Sequence, residues 1–325
     1  MKTLNNPYFQ FLLAVAAVLI MPVFMKSGIL ATEILIFALA VTACNLLLGY
    51  TGLLSFGQGI FFGSGSYIAG IMLTRTGLPV GVMLPVAIVS GAALATLVGW
   101  FAIRRQGVYF VMLTLAFSQL FFFLAYTFSD ITGGDNGLLD VPRPSFGGTV
   151  LSSTWSYYTY VAIIFLVVFA LLLRAIQSTF GRTLIAIREN EERAIAVGFP
   201  IKAFKVTAFA ISGAVTALAG ALHAMLIGVA PLTSIEHHTS EMILIMTIIG
   251  GSTSLIASVI GAASYLLLAD WLSVIWPRWL LLLGLALIVV SLFAQKGLWG
   301  LLEKLVAALT SKQEDAKTQD TTEEK

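Results

Sequence analysis

The chain has 325 residues, of which 58% are hydrophobic and only 10% are charged. Soluble domains carry about 25% charged residues, so this composition excludes an ordinary soluble domain and predicts an all-α integral membrane protein, a polytopic helical bundle. A net charge of +2 gives no indication of a nucleic-acid partner, and the single cysteine, Cys44, excludes an internal disulfide or a thiolate metal cluster.

Seven apolar runs are long enough to cross the ~30 Å hydrocarbon layer of a membrane as helices. In chain order they cover residues 8–25, 29–48, 58–74, 80–103, 107–128, 155–174 and 204–228. The first run lacks a signal-peptide cleavage site, so we expect it to be retained. Residues 241–270 are interrupted by Gly250, Gly251 and Ser252, which predicts either one kinked helix or two short helices joined by a tight turn. A last apolar run covers residues 278–294.

The distribution of Lys and Arg favours one number of crossings, because short cytoplasmic loops collect basic residues. If the N-terminus is inside and the interrupted region crosses twice, 14 basic residues lie inside and 4 outside; a single crossing gives 9 and 9. We therefore predict about ten transmembrane segments, with eight or nine as alternatives, and cytoplasmic N- and C-termini. The membrane domain is residues 1–302. Residues 303–325 form a cytoplasmic tail, which we expect to be disordered from about residue 311 for lack of apolar residues.

Two glycine-rich interruptions, at residues 45–70 and 248–263, fall inside apolar helices. Backbone groups freed by such breaks need partners inside the protein or in a watery cavity, and paired interruptions are typical of a transport site between structural repeats. The alternative is that the small residues simply let another helix approach closely. The candidate residues of a translocation path are Asn45, Gly49, Gly52, Ser55, Gln58, Gly59, Gly250 and Gly251.

Two competing functions are an ion-coupled secondary carrier and a membrane-embedded enzyme. A carrier needs ionisable groups deep in the membrane, but only His223 lies deep in a predicted helix, and a lone histidine is more often a packing residue. An enzyme needs clustered catalytic groups, and the neighbours His237 and His238 lack the spacing of a metal-binding pair. The chain has no phosphate loop of the G-x-x-x-x-G-K-[ST] type, so we expect any driving energy to come from another subunit.

Residues 189–200, ENEERAIAVGFP, form the most highly charged patch of the chain. Asn190 is a good N-cap, and the acidic residues Glu191 and Glu192 suit the positive end of a helix. Gly198 and Pro200 supply a helix stop. The pattern predicts a two-turn cytoplasmic helix that needs a partner surface, because two turns are marginal in water.

The spacing of Glu192, Ala194 and Gly198 resembles the E-A-A-x-x-x-G signature of ABC importer permeases, with Arg193 in place of the first alanine and without the downstream I-x-L-P. Four longer stretches resemble, in order, the permease family of branched-chain amino acid ABC importers, most closely its LivM-type branch. They read LLGYTGLLSFGQGIFFGSGSYIAG, TGGDNGLLDVPRP, GRTLIAIRENEERAIAVGFPIKAFKVTAFAISGAVTALAGAL and IIGGSTSLIASVIGAA.

The resemblance implies a bacterial inner-membrane permease surrounded by lipid, which is not itself an enzyme and binds no cofactor. It implies a LivH-type permease as heterodimer partner, two ATP-binding subunits that carry ATP and Mg²⁺, and an extracytoplasmic solute-binding protein. The substrate would be a branched-chain or other amino acid, with urea, short amides and aromatic acids as alternatives. A coupling loop at about residues 175–203 would contact the ATPase through Asn190, Glu191, Glu192, Arg193, Ala194 and Gly198. The binding protein would dock at Gly133, Gly134, Asp135, Asn136 and Gly137.

Overall fold

The computed structural model describes residues 6–25, 27–143, 145–146, 149–150, 153–293 and 297–301. Within them the apolar runs form helices, and the only strands are the two-residue strands of one hairpin. The longer helices are α1 (Pro7–Phe24), α2 (Gly28–Asn45), α3 (Gln58–Thr74), α4 (Val80–Ala102), α5 (Val108–Thr127), α7 (Thr154–Gln177), α8 (Thr179–Glu189), α10 (Ile201–Ile227), α11 (His237–Gly250), α12 (Leu255–Ile275) and α13 (Trp279–Phe293). The shorter elements are a π-helical turn (Leu46–Thr51), α6 (Ser129–Thr132), a 3₁₀ turn (Gly134–Asn136), strands β1 (Ser145–Phe146) and β2 (Thr149–Val150), α9 (Glu191–Ala196) and a 3₁₀ turn (Leu232–Ile235).

The predicted helical membrane protein is confirmed. Seven segments of the described chain are long and apolar enough to cross a membrane, namely α1, α2 with its π-helical turn, α4, α5, α7, α10 and α12. The predicted spans agree with these helices and with α3 and α13 to within a few residues. The number of crossings stays a prediction, because α11 has only 14 residues and α3 only 17.

The interrupted region consists of two helices, α11 and α12, so the alternative of a single kinked helix is wrong. The chain leaves helical geometry after Gly250, passes through residues 251–254 and begins α12 at Leu255. The two helices then pack at van der Waals distance through glycine. A Cβ placed on Gly261 would lie 2.1 Å from the carbonyl oxygen of Met246, a distance that leaves room for no side chain.

The core of the bundle is formed by α2 and α10, and both α3 and α4 pack directly against α10. In the most apolar stretch of each membrane-spanning helix, most residues are buried in α2 (83%) and α10 (72%). The same stretches of α1, α4 and α5 are less than one-third buried, so these helices form the periphery. Small residues permit the close approach of α3 to α10. A Cβ on Gly65 would lie 1.8 Å from the carbonyl oxygen of Ala217, so glycine is required there.

The two ends of α10 mark the two ends of the molecule, about 40 Å apart for 27 residues. At its first turn lie α9 and the turn between α4 and α5, which carries Arg104 and Arg105. At its far end Ala230 pairs with Leu138 of the loop that follows α5. We call these the basic end and the loop end. The predicted tail at 303–325 lies outside the described residues.

Candidate coupling and transport site

Helix α9 forms where the charged patch predicts it. The side chain of Asn190 accepts a hydrogen bond from the backbone N–H of Arg193 at 2.9 Å, which is the geometry of an N-cap. At the other end Gly198 adopts a φ of +92°, and its N–H donates to the carbonyl of Ile195 at 2.9 Å. Left-handed backbone at this position favours glycine, and it satisfies a carbonyl that would otherwise have no donor. The six-residue helix is therefore capped at both ends.

One side of α9 packs on its own chain and the other faces outward. Ala194 is buried in a small cluster with Ile187 and Ile201. This inward position differs from the expectation that its small side chain permits contact with a partner. The outward side combines the exposed charges Glu192 and Arg193 with exposed apolar side chains, since Ile195 is 60% and Val197 71% exposed.

Glu191 fastens α9 to two other elements. Its Oε2 accepts a hydrogen bond from Nζ of Lys205 in α10 at 2.6 Å. Its Oε1 accepts one from Nε2 of Gln106, in the turn between α4 and α5, at 2.9 Å. The Lys205 side chain is only 6% exposed, so its charge depends on this carboxylate. Glu191 thus acts within the chain rather than on the outward side.

Arg188, near the end of α8, connects this region to the broken end of α2. Its Nη1 donates a hydrogen bond to the carbonyl of Gly49 in the π-helical turn. Its stem lies against Gly52, where a Cβ would be 3.2 Å from Cγ of Arg188. We call residues 179–198 the α8–α9 element, residues 46–57 the first broken segment and residues 251–254 the second.

The two broken segments lie against each other, while their place near a path stays a prediction. A Cβ on Gly49 would lie 2.4 Å from the carbonyl oxygen of Ser252. Nδ2 of Asn45 donates to the carbonyl of Ser254 at 2.9 Å and to Oγ of Ser258 at 3.1 Å. Oδ1 of Asn45 is buried without a hydrogen-bond partner among the described residues. A backbone carbonyl of the second broken segment is therefore hydrogen-bonded by Asn45, which lies beside the first broken segment.

Gln58 and Ser55 lie at the start of α3, in the interior of this chain. Nε2 of Gln58 donates to Oγ of Ser212 at 3.1 Å, and its Oε1 accepts from Oγ1 of Thr216 at 2.8 Å. Oγ of Ser55 accepts from the N–H of Gly57 at 3.1 Å. Gln58 has no exposed surface and Ser55 only 2%. Their polar groups are committed to contacts within the chain, while their role in a path stays a prediction.

The remaining glycines of the predicted path form two pairs, Gly59 and Gly250 at close contacts and Gly52 and Gly251 at the ends of helices. A Cβ on Gly59 would lie 2.7 Å from the carbonyl oxygen of Glu236, and one on Gly250 would lie 2.1 Å from that of Ala257. Gly251 has a φ of +104° and ends α11. Gly52, at φ +72°, is exposed and ends the π-helical turn. The packing interpretation therefore holds for Gly59 and Gly250, whereas Gly52 and Gly251 end helices, and a role of any of them in a path stays a prediction.

The predicted docking loop lies at the loop end of the molecule. Gly133 (φ +81°) and Gly137 (φ +68°) flank the 3₁₀ turn Gly134–Asn136. Gly134 and Gly137 are buried, whereas Asp135 and Asn136 are exposed at the tip. The glycines therefore shape the loop, and the two polar side chains are the part that a partner can contact.

His223 lies within α10 as a packing residue, and His237 and His238 are the first two residues of α11. The ring of His223 contacts the stacked rings of Phe37 and Phe62, with ring centroids 5.6 and 5.3 Å away. Nδ1 of His237 lies 3.2 Å from Nε2 of Gln119. In the part of the chain that the structure describes, no group of three or more His, Cys, Asp or Glu side chains could hold a metal ion.

Sequence reasoning missed the roles of three residues in this site, Arg188, Lys205 and Gln106. Lys205 carried a usable signal, because a lysine followed by an almost uncharged apolar helix needs a buried partner. Arg188 and Gln106 carried none, since surface loops commonly contain such residues. Their partners lie 139 and 85 residues away along the chain.

Comparisons with known proteins find related transport permeases. The high-affinity branched-chain amino acid transport system permease protein LivM of Escherichia coli (strain K12) is 28% identical over 292 residues, covering 83% of this chain and 69% of that protein. LivM of Salmonella typhimurium is similar to the same extent. The L-arabinose transport system permease protein AraH of E. coli is 33% identical over 172 residues, covering 52% of this chain and 49% of that protein. No solved structure matches the chain.

The family described as "Branched-chain amino acid transport system / permease component" matches residues 27–292. The match includes both broken segments, the loop at 133–137 and the whole α8–α9 element. It covers well over half of the chain. The chain is therefore a member of the branched-chain amino acid transport permease family, a multi-pass permease component of an ABC transporter.

Proposed function

We propose that this chain is a permease subunit of an ABC importer, which translocates branched-chain or other amino acids and is driven by ATP hydrolysis in separate subunits. The observation that supports this proposal is the structure of α9, with its two caps and its exposed outward side. A short helix that is capped at both ends, fastened inward by Glu191 and exposing Glu192, Arg193, Ile195 and Val197 is suited to a cleft on another protein. An apolar pair beside charged groups is typical of a protein interface.

The proposed mechanism follows from the contacts of the α8–α9 element. ATP binding closes the two ATP-binding subunits, and α9 moves with the surface on which it sits. Glu191 passes the displacement to α10 and to the turn between α4 and α5. The broken segments, which lack regular helical hydrogen bonds, are the natural place for the bundle to change shape. The path between the two permeases then alternates between outward and inward opening.

The proposed assembly has a LivH-type permease as the second membrane subunit, two ATP-binding subunits with ATP and Mg²⁺, and an extracytoplasmic solute-binding protein. The basic end faces the cytoplasm, since basic residues gather there. The loop end faces outward and presents Asp135 and Asn136 to the binding protein. Both termini are cytoplasmic, and the complex lies in the bacterial inner membrane.

The amino-acid substrate is supported by the extent of the similarities. The LivM relatives, named for branched-chain amino acids, match 83% of the chain, whereas the AraH relatives, named for L-arabinose, match 52%. In binding-protein-dependent importers the soluble receptor makes the first selection. The permease therefore needs only a path that is tolerant of the solute.

The test is reconstitution of the full complex in proteoliposomes with its binding protein. Uptake of radiolabelled leucine, urea, benzoate and L-arabinose is measured with and without ATP inside. We expect ATP-dependent uptake of leucine, and competition by isoleucine and valine. ATP-dependent uptake of urea, benzoate or L-arabinose without uptake of leucine would contradict the proposed substrate but support the proposed ATP-driven import. Leucine uptake driven by an ion gradient without ATP would favour a secondary carrier instead.

A further inference from the structure

Arg188 links the α8–α9 element to the first broken segment. It lies two residues before the Asn190 cap, so any displacement of α9 reaches it through one short connection. Its guanidinium donates to the carbonyl of Gly49. The last carbonyls of a helix have no intrahelical donor, so an external donor supplies what the backbone lacks. The partly buried contact therefore supplies a donor to the broken helix from an arginine that is otherwise exposed.

Gly49 continues the connection to the second broken segment. Gly49 packs directly against the carbonyl oxygen of Ser252. One turn earlier, the side chain of Asn45 donates a hydrogen bond to the carbonyl of Ser254. Each of these contacts is buried or partly buried, which limits the freedom of one segment to move without the other. A continuous set of contacts therefore runs from α9 through Arg188 and Gly49 to residues 251–254.

The segment that Arg188 holds departs from regular α-helical geometry. Leu46–Thr51 is wound as a π-helical turn, which contains an extra residue relative to α-helix and frequently marks functional sites. Here the N–H of Gly52 and the N–H of Leu53 both donate to the carbonyl of Leu47. Rewinding to α-helix would shift the end of α2 by about one residue, or ~1.5 Å, and would move the Gly49 carbonyl relative to Arg188.

We propose that Arg188 is a positioning residue that transmits movement of the α8–α9 element to the π-helical turn and, through Gly49 and Asn45, to residues 251–254. The proposal rests on the proposed function, because it needs an ATPase that moves α9. It goes beyond that function in naming one hydrogen bond as the transmitting contact. Loss of that bond leaves α9 docked on the ATPase but separates its movement from that of the broken segments.

The test uses the complete complex of this chain with its partner permease and ATP-binding subunits. Arg188→Met keeps the stem against Gly52 and removes every donor. Arg188→Lys keeps one charged donor, which suffices if a single N–H to the Gly49 carbonyl is what matters. Arg182→Met changes an exposed arginine on the same helix and serves as the matched control. If the complex with Arg188→Met does not assemble, Arg188→Leu, which also has no donor, replaces it under the same criterion.

Two readouts separate transmission from a merely structural role. The first is leucine transported per ATP hydrolysed. The second is maleimide labelling of Thr253→Cys, an exposed position in the second broken segment, with and without ATP and vanadate; Cys44 is 2% exposed and gives the background. Expected results are nucleotide-dependent labelling in the parent, its loss in Arg188→Met, and a transport yield lower by at least about 5-fold. Arg188→Lys stays within about 2-fold of the parent, and Arg182→Met is unchanged.

Several results would overturn the proposal. Nucleotide-independent labelling in the parent would show that residues 251–254 do not move. If Arg188→Met keeps the parent transport yield and labelling pattern, the hydrogen bond does not transmit the movement. The same conclusion follows if Arg188→Lys loses transport yield as strongly as Arg188→Met. These outcomes differ from failure of the proposed function, in which the unmodified complex itself shows no ATP-dependent leucine uptake.

Discussion

The pairing of Glu191 with Lys205 makes the most quantitative prediction. In Glu191→Gln the carboxylate is replaced by a neutral amide of the same shape, and the ammonium of Lys205 stays buried with its side chain only 6% exposed. Hydrogen bonds to charged groups contribute about 1.5–3 kcal/mol. Because the Glu191 side chain is itself 29% exposed, we take a value of about 2 kcal/mol for the loss.

A loss of about 2 kcal/mol corresponds to a roughly 30-fold rise in the population in which α9 is detached from α10. Lys205→Met is expected to cost less, because it removes the buried charge together with its partner requirement. The double variant Glu191→Gln with Lys205→Met should therefore recover at least about 1 kcal/mol relative to the sum of the single changes. The two residues would then show a coupling energy that surface pairs do not reach.

Hydrogen–deuterium exchange of the purified complex measures this directly. Amides of the peptide covering residues 190–200 should exchange about 30-fold faster in Glu191→Gln. In the double variant the acceleration should be at least about 5-fold smaller than the product of the two single-variant accelerations. Transport per ATP should follow the same order. Unchanged exchange in Glu191→Gln, or strictly additive effects in the double variant, would refute the anchoring role of the pair.

Four further predictions concern helix α9 and its C-terminal cap, the loop end and the core. Glu192→Lys reverses an exposed charge and should uncouple ATP hydrolysis from uptake without changing membrane insertion, whereas normal uptake would reject the contact with the ATPase. Gly198→Pro should do the same by removing the N–H that donates to Ile195, and normal uptake would reject that cap's role. Asp135→Lys at the loop tip should lower binding-protein-stimulated ATPase activity by about 10-fold and leave basal activity intact, and equal stimulation would place the docking site elsewhere. Gly65→Val should abolish folded, monodisperse protein in size-exclusion chromatography, while Gly81→Ala, with nothing within 4 Å, should not; a well-folded Gly65→Val protein would contradict the α3–α10 packing.

The fold was largely predictable because it depends on local properties. Apolar runs must be helical in a membrane, since lipid offers no partner to the backbone. The caps of α9 were predictable for the same kind of reason. Asn190 and Gly198 make hydrogen bonds with backbone groups only a few residues away, so their capping roles can be predicted from the sequence.

The contacts that connect the elements were not predictable, because they depend on which helices become neighbours. Arg188 meets Gly49 only after α8 folds beneath the end of α2. Ala194 is small enough for a close contact with a partner, but in the folded chain it is buried against Ile187 and Ile201. The π-helical turn also left no periodic signal, since six residues of LLLGYT read equally well as ordinary helix.

The central claim is that this chain moves its solute only when an ATPase drives it through the α8–α9 element. The most direct measurement is leucine uptake into proteoliposomes that contain both permeases and the binding protein, with and without the two ATP-binding subunits. We predict accumulation that needs those subunits and internal ATP, and that falls to background when they are omitted. Leucine accumulation at an undiminished rate by the permeases without ATP-binding subunits would contradict the account.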